Sequence, residues 1–217
     1  MTDTDVKEQL EDFISSDNKE KGKEQAVTKL YSSFSFWFKV LDEGHHYSHH
    51  STTKTMNQDD YSDMVKKIVD FDTLEDFWDI YQYLKKPETS RHGLEISLFK
   101  SHIKPMWEDE ANKTGGKVSL KIKKEHSNLI WDEMVYRLIG NSFPIINNED
   151  VNGLVFSVKR DSNFVQVWFR NFSTNGMNDI TASVKQILNI PDHIELDIRP
   201  FNKSKDISSS NKNYNRK

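Results

Sequence analysis

The chain has 217 residues, of which 35% are hydrophobic and 12% aromatic, with a formal net charge of −4 and no cysteine. That length suits one domain with tails, and the acidic balance excludes a general nucleic-acid coat while leaving room for a site that reads one nucleotide with a few local cations. The lack of cysteine excludes disulfides, thiolate catalysis and cysteine-ligated zinc.

The N-terminus has no apolar core of the signal-peptide kind, and no apolar run approaches a membrane span. A soluble, monomeric, cytosolic or nucleocytoplasmic protein is expected. Residues 1–26 are acidic, polar and proline-free, which predicts a disordered tail; Val6, Leu10 and Phe13 stand at helical spacing within it. The domain is expected to run over 27–202. Its first strand is 30–40, where Phe34, Phe36, Phe38 and Val40 alternate with Ser33, Ser35, Trp37 and Lys39. A long loop, 42–60, contains HHYSHH (45–50). Its histidines stand four apart, a metal-ligand spacing only on a helix, and the polar surroundings argue for a solvated loop instead.

Residues 61–71 read as a second extended segment. Residues 72–86 read as a helix, with Asp72 or Thr73 as its cap, an acid three residues on, and two lysines at its end. Strands follow at 94–100 and 117–124, then a helix at 128–140 stopped by Gly140. A hairpin, 152–160 and 163–171, turns tightly at Asp161-Ser162. A third helix, 179–188, stops before Pro191, and 194–199 is a last strand. Residues 203–217 are Ser/Asn/Lys-rich and read as a flexible basic tail; serines 208–210 there are commonplace for such a tail. The strands alternate rather than run continuously apolar, so the class is α+β: a mostly antiparallel sheet with helices covering one face.

Two features point past the core. In the hairpin, Val165, Val167 and Phe169 share one face, and Phe164, Gln166, Trp168 and Arg170 the other. Leu154, Phe156 and Val158 oppose Ser157 and Lys159 in the same way, so the open face carries Trp168 and Lys159 together. The stretch KPMWEDEANKTGGK (104–117) sets Trp107 directly against Glu108, Asp109 and Glu110 in a loop. An indole attracts a cation by its quadrupole, and a carboxylate accepts two parallel hydrogen bonds from guanine's Watson–Crick edge. A guanine made cationic by N7-methylation satisfies both. The Gly115-Gly116-Lys117 run is not a phosphate loop, lacking the glycine spacing and the Ser/Thr after lysine.

The stretches FDTLEDFW, LFKSHIKPMWEDEANKTGGK and FSFWF resemble the cap-binding translation initiation factor 4E family, over about residues 30–200. The resemblance implies a curved antiparallel sheet with three helices on its convex side. It implies a concave site for the mRNA 5′ cap, 7-methylguanosine triphosphate, with no cofactor, no metal and no enzymatic activity. Trp107 corresponds to one stacking tryptophan, Glu108 to the acid that reads the base, Trp168 to the ring against the N7-methyl group, and Lys117 and Lys159 to phosphate-binding residues. Counting ten positions back from Phe71 puts Tyr61 where the family has its first stacking tryptophan. Two further phosphate positions fall on Asp161 and Phe164. Tyrosine as first stacker resembles the 4E homologous branch, which binds caps more weakly and typically represses translation.

The family's dorsal surface takes helices with a Tyr-x4-Leu-Φ motif, as in 4E-binding proteins or the 4G scaffold. It corresponds here to Leu74, Trp78, Val135, Tyr136 and Gly140, although helical phase alone would also allow Trp78 to be core beside Phe77 and Tyr81. Thr28-Lys29-Leu30 stands where the family has His-Pro-Leu, which alters that rim. A repressing cap-binding adaptor is therefore expected. An initiating factor that recruits 4G and a module that has lost cap binding are the alternatives.

Overall fold

The structure, a computed structural model, describes residues 27–40 and 64–202. The expectations for the tails 1–26 and 203–217, the 42–60 loop and Tyr61 lie outside the described residues. The elements are β1 (Lys29–Val40), β2 (Val65–Thr73), α1 (Leu74–Tyr81), β3 (Leu94–Lys100), β4 (Gly116–Ile122), α2 (Ser127–Ile139), β5 (Val151–Val158), β6 (Asn163–Phe169), α3 (Thr174–Ile187) and β7 (Asp197–Pro200). The seven strands form one curved sheet in the order β2-β1-β3-β5-β6-β4-β7, and every pairing is antiparallel.

Alternation sorts the sheet as the sequence suggests. Phe34, Phe36, Leu98, Leu154, Phe156, Val165 and Val167 meet the helices in one core. The helices contribute Phe77 and Tyr81 from α1, Trp131, Met134 and Leu138 from α2, and Ile180 and Val184 from α3. Phe36 stacks on Phe71 and Tyr81 at centroid distances of 5.4 and 6.0 Å. The expectation of a sheet covered on one face only needs correction. Residues 101–115 fold back over the other face, where Phe99, Ile103, Val155 and Trp168 form a second, smaller cluster with Ala111 and Phe201.

The helix ends also differ from their sequence reading. Thr73 caps α1, its Oγ1 accepting from the Asp76 N–H at 3.0 Å, but the helix stops at Tyr81. Lys86 precedes Pro87 and is extended at φ −67°, ψ 144°, as a residue before proline prefers. It serves no helix dipole; its Nζ lies 4.2 Å over the Tyr81 ring and 3.1 Å from Asp132. Gly140 is the last half-helical residue of α2 at φ −81°, and the left-handed residue is Asn141 at φ 52°. Ser142 and Asn141 donate back to the carbonyls of Arg137 (3.0 Å) and Leu138 (3.3 Å), a Schellman closure. Asn189, at φ 51°, repeats the device after α3. That helix begins five residues earlier than expected because Ser173 accepts from Gly176 N–H at 3.2 Å, carrying a low-propensity first turn. The β5–β6 loop spans four residues, 159–162, rather than two, tied by Lys159 N–H to Asn163 Oδ1 at 3.2 Å.

Candidate ligand site on the helix-free face

The 101–115 loop is built on two buried asparagines. Asn112 donates through Nδ2 to the carbonyls of Lys104 (3.0 Å) and Met106 (2.8 Å). Its Oδ1 accepts from Nδ2 of Asn152 (2.9 Å), which also donates to the Ala111 carbonyl (2.8 Å). Asp109 accepts from the N–H groups of Lys104 and Ala111, both at 3.0 Å. The loop closes onto β4 through Gly115, where a Cβ would sit 2.0 Å from the Phe169 carbonyl oxygen. Held this way, Trp107 stands 51% exposed. Glu108 beside it is half-buried, and its Oε2 is buried with no hydrogen-bond partner. Leaving a buried acceptor unpaired costs roughly 1–3 kcal/mol, a cost that a ligand with paired donors removes.

The rest of the helix-free face is laid out by register. Trp168 on β6 lies opposite Gly153 on β5 and Lys117 on β4, and Lys117 lies opposite Arg199 on β7. The Trp168 ring meets Phe201 at 4.3 Å and the edge of Phe99 at 5.3 Å, and its Nε1 donates to Gln166 Oε1 at 3.1 Å. Trp168 is therefore largely buried under neighbours rather than lying open. Phe99 reaches it through a gap at Gly153, where a Cβ would come within 2.4 Å of the Phe99 ring.

A cavity of about 90 Å³ opens beside these rings, lined by Lys39, Glu95, Ser97, Lys117, Gln166 and Trp168 among others. Glu95 organises its cations. It lies 3.1 Å from Lys39 and 3.7 Å from Lys159, and accepts from Ser157 Oγ at 2.8 Å. Burial pushes the Glu95 carboxyl up, but the Lys39 charge, the Ser157 hydrogen bond and Lys159 outweigh it and leave it below the ordinary value. Burial lowers Lys117, partly offset by Glu95. The cavity brings Trp168 and Lys117 together, and Glu95 in its wall ties Lys159 to them, while Trp107 and Glu108 stand on the 101–115 loop that folds over the same face. Trp168 and Lys159 share it as expected, with Lys159 engaged by Glu95.

On the opposite side, Trp78 is 46% and Tyr136 38% exposed, with ring centroids 5.6 Å apart. Trp78 is thus not core, unlike Phe77 and Tyr81 beside it. Leu74 is partly buried against the core and Gly140 is exposed. Val135 needs correction: it is 0% exposed, inside the core, because its position on α2 points at the sheet. Asp132, one turn earlier on α2, accepts from the Tyr81 hydroxyl and from Lys86. At the rim, Lys29 pairs with Asp72 at 2.9 Å and the Thr28 N–H donates to Glu75 at 2.9 Å.

The sequence profile described as "Eukaryotic initiation factor 4E" matches residues 29–217. The chain belongs to the eukaryotic initiation factor 4E family. Among relatives, "Eukaryotic translation initiation factor NCBP" of Oryza sativa subsp. japonica is 36% identical over 154 residues, 70% of this chain and 67% of that one. The protein of the same name in Arabidopsis thaliana is 27% identical over 203 residues, 93% of this chain and 86% of that one. Among solved structures, C. elegans eIF4E-3 in complex with the 4E-binding protein Mextli and cap analog superposes with TM-score 0.69 at 26% identity, covering 81% of this chain and 93% of that one. Ascaris suum eIF4E-3 with m2,2,7G cap gives TM-score 0.68 at 26% identity, over 82% and 93%. Proteins of the 4E family are cap-binding factors, not enzymes.

Against that family background, sequence reasoning missed several residues that shape this 4E site. Asn112 and Asn152 carry no periodic signal, since a buried amide pair is a tertiary event. Gln166, Arg199 and Phe201 were readable: Gln166 shares its strand face with Trp168, and alternation through Arg199 to Phe201 puts both beside Lys117 and Trp168. Lys39 and Glu95, which the sequence reading did not connect, form a mostly buried ion pair.

Proposed function

We propose that this chain is an mRNA 5′ cap-binding protein that restrains translation of selected messages. Trp107 and Tyr61 take the two faces of the 7-methylguanine ring. Glu108 accepts from its Watson–Crick edge, Trp168 meets the methyl group, and Lys117 and Lys159 take the phosphates. The observation that carries this reading is the half-exposed Trp107 beside Glu108, whose buried Oε2 lacks a partner. A cationic base with two donors on one edge supplies what both groups lack. Calorimetric titration with 7-methyl-GTP and with GTP tests it. Binding selective for the methylated nucleotide is expected; equal binding, or none, overturns the reading.

The restraining role rests on Tyr61 in the first stacking position and on Asp161 and Phe164 at two phosphate positions. A tyrosine gives less stacking area than an indole, and fewer cations lower affinity and salt sensitivity together. Trp78, Leu74 and Tyr136 form the dorsal patch for a Tyr-x4-Leu-Φ helix of a 4E-binding protein, and the protein acts as a cytoplasmic monomer. Trp78→Ala is expected to abolish binding of such a helical peptide while leaving the 7-methyl-GTP affinity within twofold. Loss of both would make Trp78 a structural residue. The names of the relatives, initiation factors all, favour a second reading in which the same patch recruits the 4G scaffold. A cap-dependent translation reaction separates the two: added protein depresses output under the first reading and restores it to a depleted extract under the second.

A further inference from the structure

On β6, Trp168 and Phe164 stand four residues apart on the helix-free face, with Gln166 between them. Each ring faces a lysine of β4 in register: Trp168 faces Lys117, and Phe164 faces Lys121. The intervening pair is Ser119 with Gln166. The ring–lysine pair at the base-binding end is thus repeated at the other end of the same two strands. A strand rises roughly 3.3 Å per residue, so the second pair lies roughly 13 Å from the first, a separation that an extended triphosphate bridge covers.

The surroundings of the second pair suit an anion joined to a base. Phe164 is only partly buried and Lys121 is exposed. Among the described residues no carboxylate lies within ion-pair distance of Lys121, Lys124 or Arg160. An open cavity of about 570 Å³ at this end is lined by Lys121, Lys123, Lys124 and Ser162, with Glu125 and Asp161. Glu125 is engaged by Lys123 at 3.6 Å and lies 3.7 Å from His126. An aromatic face flanked by free cations is the common element of single-strand binding: the ring stacks a base of any identity and the cations follow the backbone.

We propose that Phe164, with Lys121, forms a second nucleotide platform that stacks the first transcribed nucleotide of a capped RNA, beyond the triphosphate held by Lys117 and Lys159. Phe164 thus replaces a phosphate contact by a base contact, and shifts part of the affinity from the cap to the body of the message. The inference rests on the cap-binding reading of the neighbouring site.

Fluorescence titration of the full chain with 7-methyl-GTP, with 7-methyl-GpppA and with a capped pentanucleotide tests it. The wild type is expected to bind the two longer ligands about tenfold more tightly than 7-methyl-GTP. Phe164→Ser is expected to keep the 7-methyl-GTP affinity within twofold and to lose that gain, whereas Phe164→Tyr retains it. Lys121→Ser is expected to weaken the pentanucleotide alone and to flatten its salt dependence. A wild type that binds 7-methyl-GTP without any gain from the added nucleotides overturns the platform and leaves the cap reading standing. So does a Phe164→Ser variant with the full gain, or one that loses 7-methyl-GTP as well. A wild type that binds none of the capped ligands overturns both.

Discussion

Glu108 shows how a single residue can be set against the stability of its own fold. Its Oε2 is buried without a partner, so the free protein bears a desolvation cost, which the proposed cap ligand would relieve. Glu108→Ala is therefore expected to lower affinity for 7-methyl-GTP by about a hundredfold, from the loss of two charge-assisted hydrogen bonds. The same substitution is expected to leave the melting temperature unchanged or slightly higher; a large drop would make Glu108 a structural acid. Asn152 is the opposite case. It touches no ligand in the proposed arrangement, yet its Nδ2 ties Asn112 and Ala111. Asn152→Ala is expected to cost about 1–3 kcal/mol in denaturant unfolding and to weaken 7-methyl-GTP binding as Trp107 loses its fixed position. The Trp107–Glu108 pair was legible because an aromatic next to clustered acids is an anomaly in the linear sequence. The asparagines beneath it were not, because their partners are 40 residues apart.

Elements were legible in their middles and poorly so at their ends. Period-two alternation placed β1, β4, β5 and β6, and helical spacing placed the middles of α1 and α2, because each reports a buried face directly. The ends answer to local competitors that leave little periodic trace. Pro87 forces Lys86 out of the helical region, and Ser173 supports a turn through Gly176 that propensity alone rejects. Asn141 and Asn189 do the left-handed work that glycine usually does. Asn141→Ala is expected to destabilise the fold by about 1 kcal/mol or more, since a Cβ-bearing residue without a compensating amide pays for that backbone. Asn141→Gly is expected to be neutral within about 0.5 kcal/mol. Thermal melts of the two variants side by side check both, and an alanine variant as stable as the glycine one would show that the closing hydrogen bonds alone hold the turn.

At the scale of the molecule, the α+β class followed from the pattern of alternation, but the strand order did not. Placing β4 between β6 and β7 depends on which edges meet in space. That placement is what brings Lys117 to Trp168. The Lys39–Glu95 pair was hidden for a related reason: alternation names a face, not what later folds over it. Because Glu95 is held below its ordinary value of 4.5, its contribution to stability is full above that value and is lost as pH falls through the lower folded-state value. Breaking a buried pair leaves an uncompensated charge and costs several kcal/mol. Glu95→Gln is accordingly expected to lower the melting temperature at neutral pH, and the gap to wild type is expected to close only as the pH falls well below 4.5. A gap that shows no dependence on pH across the acid range would assign the loss to packing rather than to charge.

The sheet is one strand thick, and β6 alternates strictly between the two sides, with Val165, Val167 and Phe169 toward the helices and Phe164, Gln166 and Trp168 away from them. Heritable change can therefore work on the two sides independently. Codons 164 and 166 can change without disturbing the packing against the helices, while codons 165, 167 and 169 stay under selection for folding. A point substitution respects that division, whereas a one-codon insertion within β6 reverses it and turns residues of the helix-free face into the core. The strand should accordingly vary in composition among descendants but scarcely ever in length.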